Sequence, residues 1–198
     1  MNKELSHAHC LMLVLGLFAG VGVLTSFSAL AATRTDAQAL IDALEDQGVD
    51  AVSDLVHGGA DINAQKSGDG TVLMEAAKRG DLIAVERLLA LGADVNQWSA
   101  GDGTALITAA SQGHLPVVKR LIGAGARVDM IVDYDETALI AASRNGRLDV
   151  VQYLVEQKAD INLGVTTPTG QWRTPLNQAR TSDIKTYLVK HGARVSRR

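Results

Sequence analysis

The polar and apolar positions of this chain run through one alternation three times. A threonine opens a run that carries a leucine and two small residues on one side, and a turn interrupts it. A second run then sets apolar residues three and four apart before a short polar corner closes the unit. In the first copy that second run is Leu82, Val85, Leu88 and Leu89; in the next it is Leu115, Val118, Leu121 and Ile122. Such steps place side chains on one face of a helix, so each copy predicts two short amphipathic helices and the class predicted is all-α. The pairs Ala76 and Ala77, Ala109 and Ala110, and Ala141 and Ala142 give the first helix a narrow apolar face that has to pack closely against its neighbours.

The copies are in register. Thr71, Thr104 and Thr137 stand 33 residues apart, and "DGTVLMEAAKRGDLIAVERLLALGADVN" (69–96) aligns with "DGTALITAASQGHLPVVKRLIGAGARVD" (102–129) and "DETALIAASRNGRLDVVQYLVEQKADIN" (135–162). Self-similarity at that period is the signature of a stacked repeat. Each threonine is placed to cap its first helix. At the corners, Gly92 and Gly125 supply the left-handed conformation a helix end needs. Lys158 fills that slot in the third copy, which predicts a corner that is strained or differently shaped.

The Thr-x-Leu openings, the Ala-Ala pairs, "GHLPVV" at 113–118 and "GADVN" at 92–96 together resemble the ankyrin repeat. The resemblance implies a helix-turn-helix solenoid with projecting β-turn fingers. It covers most of the stretch from Thr35 to Val195, with repeats at about 67–99, 100–132 and 133–169 and atypical capping repeats at 34–66 and 170–198. The family's Thr-Pro-Leu-His opening is altered here: Met74, Ile107, Ile140 and Asn177 stand in the histidine slot, so apolar packing by the first three is expected to replace the histidine's hydrogen bonds. In the first cap Gln38-Ala39-Leu40 replaces the threonine opening, and Asp42, Glu45 and Asp46 give its first helix a water-facing side. The last cap is three residues short between its helices. The connection before it, "GVTTPTGQWR", is four residues longer than the others and reads as the least regular part of the domain.

Ahead of the repeats, "LMLVLGLFAGVGVLTSFSALAA" (11–32) carries no charge and ends with Ala29, Leu30 and Ala31, a small-x-small cleavage pattern. It reads as a signal peptide, residues 1–31, cut before Ala32, or as an uncleaved anchor long enough to span a bilayer. Either places residues 32–198 outside the cytoplasm, periplasmic or secreted. Cys10 is the sole cysteine, so a mature chain has no disulfide. A net charge of −3 and a pI near 5.9 provide no basic footprint for nucleic acid.

Catalytic signatures are missing: there is no G-x-S-x-G, H-E-x-x-H or phosphate-binding G-x-x-x-x-G-K-[ST]. His57, His114 and His191 are too far apart for a local metal site, and His114 is read as closing the turn between its helices. Asp133, Asp135 and Glu136 lack the glycine and further ligands of a calcium loop and read as a solvated turn. No cofactor, metal, small-molecule substrate or enzymatic activity is expected, and the chain is expected to be monomeric.

Function then falls to the surface. At the fingers, Trp98, Met130, Ile131, Val132 and Tyr134 form a candidate apolar patch for a protein partner, or fold back to seal the finger stack. Trp172 divides the same way between binding and covering the last repeat. At the ends of the first helices, Lys78, Arg79, Gln112 and Arg144 occupy matching slots; by the resemblance, they and the fingers make up a concave binding face. The chain is also similar to exported bacterial ankyrin proteins found beside peroxide-detoxifying catalases and to ankyrin segments of membrane-bound sensor metalloproteases. An accessory role to such a stress enzyme, or a plain envelope spacer, is the alternative to a specific binding module.

Overall fold

Threonine at the head of each repeat does what its side chain allows. In the computed structural model, which describes residues 36–65, 70–101, 103–132 and 136–195, Thr71, Thr104 and Thr137 hold extended backbone. Their hydroxyls accept from the amides of Met74, Ile107 and Ile140 three residues on. Each cap starts a first helix: α3 (Val72–Arg79), α5 (Ala105–Gln112) and α7 (Ala138–Arg144). Second helices follow as α4 (Leu82–Ala90), α6 (Leu115–Gly123) and α8 (Leu148–Glu156). The end repeats contribute α1 (Asp36–Asp46) with α2 (Val49–His57), and α9 (Pro175–Gln178) with α10 (Ser182–Lys190). The described chain is thus a stack of helix-turn-helix units, first helices packing α1 on α3 on α5 on α7 on α9 and second helices packing α2 on α4 on α6 on α8 on α10.

Apolar burial holds the stack together. Leu40, Leu73, Leu88, Leu106, Leu121, Leu139, Leu154, Ile184 and Leu188 are fully buried, and the alanine pairs of α3, α5 and α7 lie where one first helix meets the next. In the second helices the buried positions are Ala84, Val85 and Leu88, and Val117, Val118 and Leu121. Leu82, Leu89, Leu115 and Ile122, expected on the same face, are half-buried at its edges and still touch the core. In the former histidine slot Met74 and Ile140 are buried as expected, but Ile107 is only half-covered.

Repeats are also tied by side chains that reach neighbouring backbone. Asn63 Oδ1 accepts from the Asp94 amide at 2.8 Å, Asn96 Oδ1 from Arg127 at 2.9 Å, Asp129 from Asp160 at 3.0 Å and Asn162 Oδ1 from Arg194 at 2.8 Å. Asn96 and Asn162 also donate to the Gly125 and Gly192 carbonyls, both at 3.2 Å. The Asp129 side chain has no N–H to donate. A second seam runs between the inter-helix turns. His114 Nε2 donates to the Lys78 carbonyl at 3.0 Å, Arg147 Nε donates to that of Ser111 at 3.1 Å, and the Arg180 amide donates to that of Ser143 at 3.0 Å. His114 is structural, as expected: its amide closes its own turn on the Ala109 carbonyl at 3.0 Å, and its ring in addition joins two repeats.

The Lys158 corner keeps the shape of its glycine counterparts and carries the strain. Its φ is 68°, and it repeats the hydrogen bonds of the Gly125 corner: Lys158 N to Val155 O and Ala159 N to Leu154 O, both at 3.0 Å. The long connection before the last repeat is more ordered than its sequence suggested. It folds as an antiparallel hairpin of β3 (Val165–Thr166) and β4 (Trp172–Arg173), its loop pinned by the Thr167 hydroxyl and by the Thr167 amide donating to Gln171 O at 2.9 Å. A matching hairpin, β1 (Trp98–Ser99) with β2 (Gly103–Thr104), forms the finger between the first two full repeats. No helix among the described residues is long and apolar enough to cross a membrane.

Candidate protein-binding surface

Just before each capping threonine the repeats differ. Gly70 and Gly103 hold this slot in the first two copies, Glu136 in the third and Arg173 in the last. Gly103 has φ 71°, and a Cβ there would come within 3.2 Å of Ile107 Cδ1, so a side chain would both strain the backbone and crowd the helix below. Without one, the space above Ile107 stays open. The result is a cleft of about 190 Å³ lined by Lys78 of α3, by Ile107, Thr108, Ser111 and Gln112 of α5, and by Glu136 and Arg144 at its far side.

The far wall is an ion-pair cluster. Glu136, whose side chain is only 5% exposed, forms an ion pair with Arg144 Nη1 at 2.8 Å and accepts from Arg173 Nη1 at 2.9 Å on the same oxygen, Oε1. A carboxylate is costly to bury alone, and two guanidinium groups offset that cost while fixing where Arg144 stands. Arg144 itself remains 47% exposed. The solvated turn read from the sequence is therefore wrong for Glu136, which faces inward because the adjoining Thr137 is buried in the helix cap and both arginines reach it. Asp133 and Asp135 lie outside the described residues. Lys78, at the opposite rim, has Glu75 at 3.7 Å, so around the cleft three cations face two carboxylates.

Of the residues proposed at the ends of the first helices, Lys78, Gln112 and Arg144 therefore meet around one cleft, while Arg79 is exposed but does not line it. The finger set separates. Trp98 and Ile131 are 42% and 45% exposed and border a shallow depression together with Met130 and Val132. Val132 is only 3% exposed, a correction to the exposed patch: its side chain is buried while that of neighbouring Ile131 is not. Met130 is half-buried, its sulfur accepting from Arg127 Nη2 at 3.2 Å. Tyr134 lies outside the described residues. Trp172 is half-buried with its ring against the Gly164 backbone, where an added Cβ would sit 2.4 Å from Cζ2. That packing favours covering over binding.

From sequence Ile107 was assigned to apolar packing and Glu136 to a solvated turn, so neither was placed at a binding cleft. The available signal was the register itself: Gly, Gly, Glu, Arg immediately before the threonine is a place where consecutive copies differ in size and charge. Among the described residues no group of three or more His, Cys, Asp or Glu is placed to hold a metal ion.

Comparison with known families agrees with this architecture. Residues 39–132 and 73–165 match a family model described as ankyrin repeats (3 copies). No curated protein matches the sequence.

Proposed function

Because the chain belongs to the ankyrin repeat family, whose repeats are generally protein–protein interaction modules, we propose that it is a non-catalytic binding module acting outside the cytoplasm, which meets a partner protein through its first-helix and finger face. The observation that carries this reading is the convergence of Lys78, Gln112 and Arg144, from three successive repeats, on one open cleft. Exposed Trp98 and Ile131 stand at the neighbouring fingers and add apolar anchors of the kind interfaces use.

The stack suits such a role physically. Each repeat is held to the next by buried apolar contacts and by side-chain bonds to backbone, so the exposed residues sit on a frame that is already ordered before a partner arrives. That lowers the ordering cost of association. Export is supported by the uncharged run 11–32 and the small-x-small step before Ala32.

The full chain, tagged at its C-terminus and used to capture proteins from extract of its own cells, tests the reading. Lys78→Glu/Arg144→Glu and Trp98→Asp/Ile131→Asp double variants serve as controls. A protein retained by the wild type and lost by a folded double variant is the expected result; identical recoveries on all three chains contradict the surface assigned. N-terminal sequencing of exported material should begin at Ala32, and any other start rejects that cleavage site.

A further inference from the structure

The cleft has a chemistry more specific than a general docking face. Its volume of about 190 Å³ falls below the ~300 Å³ at which small-molecule sites begin. That is space for one side chain of a bound polypeptide. Its floor, Ile107, is apolar and half-buried, while its rim carries Lys78, Ser111, Gln112 and Arg144, all able to donate hydrogen bonds.

Charge decides which side chain fits. Glu136 is already engaged by two guanidinium groups, so an incoming cation would have to compete with Arg144 and Arg173 for one carboxylate oxygen. Among the described residues an incoming anion would instead face two cations, Arg144 and Lys78, whose side chains remain about half exposed beside their partners Glu136 and Glu75. Arg144 pairs with Glu136 through Nη1 at 2.8 Å and still has 47% of its side chain exposed; across the cleft the Lys78 side chain is 56% exposed. The guanidinium is held in place before binding by a buried partner, which reduces the ordering cost that makes most surface ion pairs weak.

We propose that this cleft is the specificity subsite for an acidic side chain of the partner, an Asp or Glu carboxylate received between Arg144 and Lys78 over Ile107, with Ser111 and Gln112 as additional donors. This rests on the protein-binding reading above. Glu136 acts as a positioning residue: it holds the guanidinium at the edge of the cleft and does not itself meet the partner. The apolar floor accommodates the methylene carbons that lead to the carboxylate, so the favoured ligand is an acidic residue within an extended segment and not a free inorganic anion.

The test uses the folded full chain, immobilised and panned against a random dodecapeptide library. Enriched peptides are then resynthesised and measured by fluorescence anisotropy. They are expected to share an Asp or Glu, and changing it to Asn or Gln should weaken binding about tenfold, between the values typical of exposed and of buried charge pairs. Arg144→Met should bind the acidic and amide peptides equally, Lys78→Met should reduce the preference, and Arg144→Lys should keep part of it; thermal melts check that each variant is folded. Enriched peptides without a shared acidic residue, or an undiminished preference in folded Arg144→Met, overturn this assignment while leaving the protein-binding reading intact. Enrichment of no peptide at all counts against both.

Discussion

The seams between repeats and the cleft on their shared face follow opposite rules. Along the seams equivalent positions do equivalent work: Asn63, Asn96, Asp129 and Asn162 each accept an amide of the next repeat, and His114, Arg147 and Arg180 each reach the carbonyl row of the repeat before. In the cleft equivalent positions do different work. Gly103 opens space, Glu136 buries a carboxylate and Arg173 neutralises it, although all three directly precede a capping threonine. Identity between copies therefore marks what stacks, and difference between copies marks what is presented to a partner. The third copy shows the boundary between these regimes: Asp129 replaces the asparagine yet still accepts the Asp160 amide, whereas Lys158 replaces a glycine and carries its strain at φ 68°.

The sharpest way to break the comparison is to damage the stack itself. Leu139 is buried in α7 between α5 and α9, so Leu139→Ala should cost about 3 kcal/mol by the ordinary price of deleting a core leucine; a urea unfolding midpoint reads it directly. Next is the His114 seam. A Cβ on Gly80 would lie 2.6 Å from His114 Nδ1 on a backbone with φ 73°. Gly80→Ala should therefore destabilise by about 2 kcal/mol, from backbone strain and a displaced ring together. In a His114→Ala background that cost should fall, because only the strain remains; an unchanged cost in the double-mutant cycle would show that the ring contact contributes nothing.

Smaller effects sharpen the contrast. Lys158→Gly should stabilise the fold by about 1 kcal/mol, since the corner already has the left-handed geometry that glycine adopts freely; a rise in melting temperature checks it. Arg144→Met should change stability by less than about 1 kcal/mol, as its head group is half-exposed and Arg173 still pairs with Glu136, while it abolishes the acidic preference of the cleft. The smallest effect lies at the last repeat. Burial, and then the charge of Glu156, raise the Tyr187 phenol above its ordinary 10.0. Folding thus favours the neutral phenol: its contribution is fully present below pH 10 and is lost as pH climbs through the raised folded value. Tyr187→Phe should remove that alkaline decline and leave stability at neutral pH nearly unchanged.

Much of the stack was legible because its signals are local. A threonine cap, an alanine pair and a glycine corner each act within a few residues, and their recurrence at 33 fixed the number and order of helices. The seams were less legible, since Asn96 and Arg127, or His114 and Lys78, meet across 31 and 36 residues and only a stacked register brings them together. The same distance hid Glu136. Beside two aspartates it looked like a wet turn, and its partners Arg144 and Arg173 are separated from it by one helix and by a whole repeat. Val132 looked exposed beside Ile131 because both are apolar in a finger; only the folded chain distinguishes the buried one from the exposed one. Trp172 was ambiguous until the backbone of Gly164 was seen beneath its ring.

The central claim is that the differences between copies, gathered at the cleft, are what a partner reads. Amide chemical shifts of the isotope-labelled full chain, followed as an enriched acidic peptide is added, test it most directly. Perturbations concentrated at Lys78, Ile107, Ser111, Gln112 and Arg144 are the predicted result. Perturbations concentrated on the second helices α4, α6 and α8, with those five residues unmoved, would contradict it.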